Sequence, residues 1–417
     1  MVNLKKLELK SYYDSFIRTL NNKKGFGKVF EILIRVISLL LFPIVYLILF
    51  LIKPFKEIRL GFLYNRRIGH LALNTDLFIR SKKIGSVSSD PWYLFFAYEP
   101  ANRQLLKMIK RELNVIDSEW LTKLFAPIGL FRTSFWQPLP FLSNEYKEFN
   151  YPSRSLHFTK QEDLFGKGEL AKMGVKDGDW YVCIFARDEK YSNTISANTD
   201  NSSTDHRNGD IDTYIPAVKY IVDRGGYVIR MGHLVSKEFG YKHEKVVDYA
   251  VCCRTDFMDV YLAKNCRFHL GTASGGSDLV HVFDTPFVGV NWEIGRGPIK
   301  NNEIFIPKTI KYKASGLEVA FKTQIEKIGK IPIEFGLCPE EILNDLGMEI
   351  IDNTSGQILE LVKEMFSRMD GSWVVSNAYL HKRQEYQDIL NYYHHWFAEA
   401  HQNSTIGKDF LMKLDLG

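Results

Sequence analysis

From residue 57 onward, short apolar runs alternate with stretches whose apolar positions recur every three or four residues. The runs "EIRLGFLY" (57–64), "DPWYLFFAY" (90–98), "WYVCIFARD" (180–188), "YVIRMG" (227–232), "VVDYAV" (246–251), "RFHLG" (267–271) and "PFVGVNW" (286–292) predict buried strands. Between them, the helical spacing falls on 65–82 after a glycine turn, on 102–113 with a basic outer face, and on 211–225, stopped by Gly225 and Gly226. Further helices are predicted over 255–266, 277–284, 355–369 and 381–401. Strand–helix alternation of this kind predicts parallel α/β sheets with right-handed crossovers. Residues 149–175, polar and broken by proline and glycine, read as the connection between two halves. Residues 189–210, rich in Ser, Thr, Asn and Asp, form a long loop, and such loops inside an α/β domain are more often functional than structural.

One segment breaks the pattern. Residues 36–52, "VISLLLFPIVYLILFLI", carry no charge, which is the lower limit for crossing a hydrocarbon core of ~30 Å. Lys23, Lys24, Lys28 and Arg35 precede it and Lys53, Lys56, Arg59, Arg66 and Arg67 follow, so flanking charge gives a single crossing no clear orientation. Pro43 marks a place where the helix can break. Three readings stand: a bent helix or shallow hairpin in the cytoplasmic leaflet, a straight crossing, and a buried core helix. The amphipathic stretch 4–20 is a second candidate for membrane contact.

A chain of 417 residues suits two domains of roughly 150–200 residues each. Hydrophobic residues at 45% and charged residues at 25% are in globular balance, while 14% aromatics suit a membrane-facing or ring-stacking surface. A net charge of +5 without a nucleic-acid motif does not argue for nucleic acid. Cys183, Cys252, Cys253, Cys266 and Cys338 form no CxxC pair and read as reduced, buried residues of a cytosolic domain, not as a disulfide frame or zinc site.

The densest chemistry lies at "GTASGGSD" (271–278), a turn of small residues between a strand and a helix. Gly271 ends the strand, Thr272 and Ser274 offer hydroxyls, and Gly275 and Gly276 open the helix, where amides and dipole favour an anion such as a diphosphate. There is no Walker lysine and no GxGxxG spacing, so neither a P-loop nor a dinucleotide fingerprint is present. A tight strand–helix turn with a hydroxyl cap has the same composition.

The series "WYVCIFARD … RNGDIDTYIPAVKYIVDRGGYVIRMG … DVYLAKNCRFHLGTASGG … FDTPFVGVN … IPK" resembles a poorly characterised bacterial GT-B glycosyltransferase family from envelope-polysaccharide gene clusters, over about 57–317 and the terminal "IGKDFL" (406–411). A more distant similarity is to heptosyltransferases, with Ala273 standing where their turn aspartate is expected. The resemblance implies two facing Rossmann-like domains and transfer from a nucleotide-sugar donor, bound by the C-terminal half, to an acceptor on the N-terminal half. The expected limits are 1–55 for the membrane-associating segment, 56–165 for the acceptor domain, 166–340 for the donor domain, and 341–417 for helices packing back across both.

On that scheme the donor-binding candidates are Arg187, Arg207 and Arg230 beside Gly232, the 271–276 turn and Asn291. Asn291 and "IPK" (306–308) either line the base or sugar pocket or close the domain. The candidates for the base that takes the acceptor proton are Asp188, His70 and Asp76, in that order. "DID" (210–212) imitates a metal-binding Asp-x-Asp but precedes a helix, where Asp caps well. No metal or resident cofactor is expected, the nucleotide-sugar being a substrate. The expected acceptor is a lipid-linked or envelope saccharide at the cytoplasmic face of a bacterial inner membrane. A nucleotide-sugar epimerase and an inactive membrane scaffold of the same fold are the competing readings.

Overall fold

The computed structural model describes residues 25–417 except 141–145, 152–153, 189, 191–193, 195–205, 296, 299, 329–338 and 394–404. The amphipathic stretch 4–20, Cys338 and most of the 189–210 loop therefore lie outside the described residues. The chain forms two compact units, Met1–Phe141 and Leu142–Gly417.

The first unit opens with one unbroken helix, α1 (Phe26–Ile52). Pro43 sits inside it without ending it, so of the three readings the shallow hairpin is not formed. Next come β1 (Ile58–Phe62), α2 (Ile68–Lys83), β2 (Trp92–Ala97), α3 (Arg103–Glu112), β3 (Asn114–Asp117) and α4 (Glu119–Leu130). The strands form a parallel sheet in the order β1-β2-β3, with Leu60 opposite Leu94 and Phe96 opposite Ile116. Helix α3 begins where the Asn102 side chain accepts from the Leu105 amide, and α4 where Ser118 accepts from the Leu121 amide. Leu60, Phe96, Ile128 and Phe135 make a core that also takes in Leu49 of α1. Gly61 has to be glycine, because a Cβ there would lie 2.5 Å from the Phe95 ring and 2.6 Å from the Gln137 carbonyl.

The second unit holds α5 (Lys160–Lys172), β4 (Tyr181–Phe185), α6 (Ile215–Asp223), β5 (Tyr227–Arg230), β6 (Val246–Val247), α7 (Asp256–Asn265), β7 (His269–Gly271) and α8 (Gly275–Val282). It continues with β8 (Phe287–Trp292), β9 (Glu303–Pro307), β10 (Thr309–Tyr312), α9 (Phe321–Ile328), β11 (Met348–Ile351), α10 (Ser355–Met369), α11 (Asn377–Tyr393), β12 (Thr405–Ile406) and α12 (Lys408–Lys413). Seven strands form one parallel sheet ordered β12-β9-β8-β7-β4-β5-β6. Counted from β4, the six strands up to β9 follow the 3-2-1-4-5-6 order of a doubly wound sheet, so the winding reverses between β4 and β7.

Several elements differ from the sequence pattern. The run 246–251 is strand only at Val246–Val247 and then turns into a short helix, Tyr249–Cys252. Cys252 and Cys253 are consequently exposed and lie side by side, while Cys183 and Cys266 are buried. The stretch 149–175 is not merely a connection. It contains α5, started by a reciprocal cap between Thr159 and Glu162 and packed against α7 of the second unit. The division between units falls after Phe141, ahead of the limit expected at 165. Among the C-terminal helices, α10 packs on α6, β8 and β9, and α11 on α9 and α12.

Candidate functional site

Strand β4 is apolar on both faces and buried through Ile184, so it sits mid-sheet, and the chain turns polar just past the ladder, at Arg187-Asp188. Its neighbour β7 ends on the same rung, at Gly271 opposite Phe185, where a Cβ would lie 2.8 Å from the Phe185 carbonyl. The two strand ends are tied together: the Arg187 amide donates to Thr272 Oγ1 at 3.0 Å and the Thr272 amide to the Phe185 carbonyl at 3.3 Å. This is the point where the winding reverses, and in open α/β sheets the carboxyl ends of the strands at that point are where ligands bind.

Around this corner the fold gathers cations from three segments. The Arg187 guanidinium donates to Asn208 Oδ1. Arg207 reaches the Ala273 carbonyl at 3.0 Å and pairs with Glu293 at 2.9 Å. Lys308, just past β9, donates to the Asn208 carbonyl at 2.7 Å and pairs with Asp352 at 2.6 Å. His206 lies among them; burial holds its pKa below the ordinary value, Glu293 acts to raise it, and Arg207, Lys308 and Arg187 lower it further. The four side chains thus share one electrostatic neighbourhood. A neutral imidazole in such a place is a donor or acceptor, not an added positive charge.

Gly209 lets the 206–210 segment lie against the strand ends, since a Cβ there would come within 2.8 Å of Asn291 Nδ2. Asn291 itself takes a left-handed backbone (φ 50°) and is buried. Its amide donates to Asn353 Oδ1 at 2.5 Å, and its Oδ1 accepts from the Asn353 amide at 2.6 Å. That reciprocal pair, with Asn353 Nδ2 on the Pro307 carbonyl at 2.8 Å, clamps the ends of β8 and β9 to the start of α10.

The Gly-Thr-Ala-Ser-Gly-Gly turn does lead from strand to helix as expected, but its groups are already engaged. Ser274 Oγ accepts from the Gly276 amide at 3.2 Å, and the Ser274 amide donates to Ser277 Oγ at 3.0 Å, a reciprocal cap. Thr272 is buried, while Ala273, Ser274, Gly275 and Gly276 stay partly open. An anion at this rim meets the helix dipole and the neighbouring cations, with two of the first amides already used by the helix's own cap.

Arg230 does not join the cluster. Only 3% of its surface is exposed, and it pairs with Asp248 at 2.9 Å and donates to the Lys237 carbonyl at 3.1 Å. Asp248 accepts from the Phe239 amide through its other oxygen, at 2.8 Å, so the pair pins the 231–248 segment to β5. Gly232 lies in that segment, where a Cβ would touch Val235 and Ala250. Asp188 accepts from the Ser236 amide at 3.0 Å, the Ser236 hydroxyl at 3.2 Å and the Lys190 amide at 3.0 Å, so it anchors the same segment beside the corner. Asp210 and Asp212 each pair with Lys237 at 2.6 Å, and Asp210 also caps the turn by accepting from the Asp212 amide at 3.0 Å. "DID" is thus occupied by capping and ion pairing.

In the first unit, His70 stands at the start of α2 with Nδ1 3.1 Å from Asn74 Oδ1, and Asn74 Nδ2 donates to the Pro140 carbonyl at 2.6 Å. Asp76 is a correction. It lies on the core face of the same helix, with Arg80 bonded to it at 2.7 Å and both side chains fully buried, because the i, i+4 spacing turns the pair inward together. Sequence reasoning missed His206, Asn208, Glu293 and Asn353; Lys308 entered only as part of "IPK". A depression of about 660 Å³ lined by Arg154, His157, Asp284 and Lys300 belongs to the opposite end of the sheet, ahead of β8 and β9, away from these residues.

No family model and no curated protein matches the chain. Solved structures that it is similar to include the E. coli ADP-heptose lipopolysaccharide heptosyltransferase II, at 11% identity and a TM-score of 0.42 over 75% of this chain and 99% of that one. A family 9 glycosyltransferase from Veillonella parvula overlaps at 9% identity and TM-score 0.43, over 75% and 98% of the two chains. The iron-containing dodecameric glycosyltransferase TibC from enterotoxigenic E. coli overlaps at 10% and 0.37, over 75% and 77%. These neighbours are of the kind named by the sequence resemblance. The overlap is loose, so the functional reading below rests on this chain's own geometry.

Proposed function

We propose that this protein is a glycosyltransferase that moves a sugar from a nucleotide-sugar to a membrane-borne saccharide at the cytoplasmic face of a bacterial inner membrane. The observation that carries the proposal is the convergence of Arg187, Arg207 and Lys308 on the strand ends where the sheet winding reverses. With Glu293 and Asp352 paired to two of them, these three cations keep a net positive charge beside a helix N-terminus, which favours an anionic diphosphate.

In the step proposed, an acceptor hydroxyl attacks the anomeric carbon, the bond from that carbon to the diphosphate oxygen breaks, and the nucleotide leaves with the bonding electrons. Negative charge develops on the departing oxygen, and fixed cations there lower the barrier because they are already oriented before reaction. Arg187 and Arg207 are assigned to the diphosphate, with Lys308 holding Asn208 and so the Arg187 guanidinium in place. Asp188 is assigned to the acceptor proton, with His70 as the second candidate. No metal is assigned to the reaction.

The test is incubation of the purified full-length protein with UDP-, GDP-, CMP-, dTDP- and ADP-sugars, following nucleotide release and thermal shift. One donor class should be hydrolysed slowly and raise the melting temperature. Binding without nucleotide release but with sugar interconversion would make it an epimerase, and no binding at all would leave a scaffold.

A further inference from the structure

Helix α1 poses a problem that its composition alone does not solve. Its apolar stretch is long enough to cross a bilayer, yet the helix is docked along nearly its whole length on the first α/β unit. The docked seam runs Glu31, Ile34, Ser38, Phe42, Val45, Leu49, a helical period of three and four. Near its start Phe30 meets Trp120 edge-on, ring centres 6.1 Å apart, and buried Glu31 pairs with Lys123 of α4. Further along, Phe42 meets Phe131 at 4.9 Å, Tyr46 meets Phe135 at 5.4 Å, and Leu49 enters the core with Leu60 and Phe96. Helix α4 therefore runs parallel beside α1, and the sheet follows close behind.

The rest of the α1 circumference is open and apolar. Leu40 is 70% exposed and Leu51 60%, with Val29, Leu33, Ile44 and Leu47 also exposed between the two ends. Such a face over a helix of about 40 Å is far larger than soluble monomers usually leave open. Trp120 and Phe131 of the α4 segment are half-exposed, and Phe55 just past α1 is 90% exposed. Exposed Lys28 stands near one end of the helix, and Lys53 and Lys56 at the other.

A crossing is incompatible with this docking. Driving α1 through the bilayer would take α4 and the edge of the sheet with it, including Glu57, Arg59 and Glu119, whose carboxylate and guanidinium groups are strongly excluded from hydrocarbon. Basic residues at both ends, which give a crossing no orientation, fit a helix whose two ends touch the same anionic surface.

We propose that α1 lies along the membrane within one leaflet, its exposed side in the headgroup–acyl boundary, with Trp120, Phe131 and Phe55 adding to the same contact. This rests on the membrane-borne acceptor proposed above and names how the protein meets that membrane: the α/β body stays on one side, and both helix ends stay with it.

Spin labels at single cysteines replacing Val29, Val36, Leu40, Leu47 and Leu51 test it. They are placed in full-length protein with Cys252, Cys253 and Cys338 changed to serine and buried Cys183 and Cys266 changed to alanine, bound to phosphatidylglycerol-containing vesicles. Relaxation by oxygen and by a nickel chelate then gives depth. The expected result is one shallow depth at all five positions, about 5–10 Å. A profile peaking near the bilayer centre at Leu40, about 15 Å deep, would overturn the proposal. Labels shielded from both reagents, with a lipid-free dimer by light scattering, would also overturn it and assign the face to a second copy. Trp120→Ala and Phe131→Ala should each weaken vesicle partitioning about three- to tenfold, and unchanged partitioning would remove those rings from the contact. Nucleotide-sugar binding measured on the same proteins in detergent separates this result from the transferase reading: loss of binding there refutes the chemistry and leaves the depth result intact.

Discussion

Arg187 and Arg230 leave neighbouring strands of the same sheet, and the sequence offers no way to rank them. Arg230 still lies within the ladder, opposite Ile184, and is drawn onto Asp248 in the interior. Arg187 comes three residues after that Ile184 rung, beyond the last paired residue of β4, where its guanidinium shares an electrostatic neighbourhood with Arg207, His206 and Lys308. Position relative to the last ladder rung separates an arginine that holds the fold from one that can hold a ligand. A buried guanidinium needs a carboxylate at once, because an unpaired charge in the interior is very costly.

The sharpest way to break that comparison is Arg230→Ala. It leaves Asp248 uncompensated and should cost about 3–5 kcal/mol in denaturant unfolding, while the folded fraction keeps its donor affinity. Arg187→Ala should do the reverse, lowering kcat/KM for the donor about 10²–10³-fold with the melting temperature nearly unchanged. Should both variants lose stability alike, Arg187 is a structural residue and the proposed site is lost. Lys308→Ala, which frees Asn208, should lower kcat/KM about tenfold; an effect as large as that of Arg187→Ala would mean that Lys308 itself touches the diphosphate.

Smaller effects sharpen the picture of the corner. Ser274→Ala removes the α8 cap and should cost about 1 kcal/mol of stability. It frees the Gly276 amide, so donor affinity should hold or rise; a fall would show that the hydroxyl itself binds the donor. Acid stability probes the core beneath. Burial, with His281 adding to it, lowers the pKa of His269 to about 3, so the unfolded chain takes up a proton first as pH drops below about 6.5. Stability is then lost from pH 6.5 down to about 3, at up to about 1.4 kcal/mol per pH unit. Asp259 opposes this, burial raising its pKa to about 6, so the folded state gains the proton between about 6 and 3.8. His269→Phe should therefore make the protein relatively more stable in acid, and an unchanged pH profile would refute the assignment.

Much of the architecture was legible because buried parallel strands are nearly unbroken apolar runs, and β1, β2, β4, β5, β7 and β8 all fell on such runs. The strands that escaped notice, β3 and β9 to β12, are short or follow irregular loops. β12 pairs only Thr405 and Ile406 with β9, and two residues carry no periodicity. The segment 246–251 misled because its apolar positions suit strand and helix alike, and a single turn of helix won after Val247. Asp76 misled for a related reason: a carboxylate near a glycine turn resembles a site residue until its partner four places on turns out to be buried with it.

The sequence by itself determined the alternating strands and helices, the small-residue corner at 271–276 and the long apolar N-terminal segment, because each depends on neighbours within a few residues. Only the tertiary structure decided that Lys308 stands beside Asn208, a hundred positions away, that Arg230 is a pin, and that α1 is docked along α4. Those outcomes depend on which strand lies next to which and on where each charge finds a partner. Contacts between distant segments are set by packing and by the cost of an unpaired buried charge, and neither can be read along the chain.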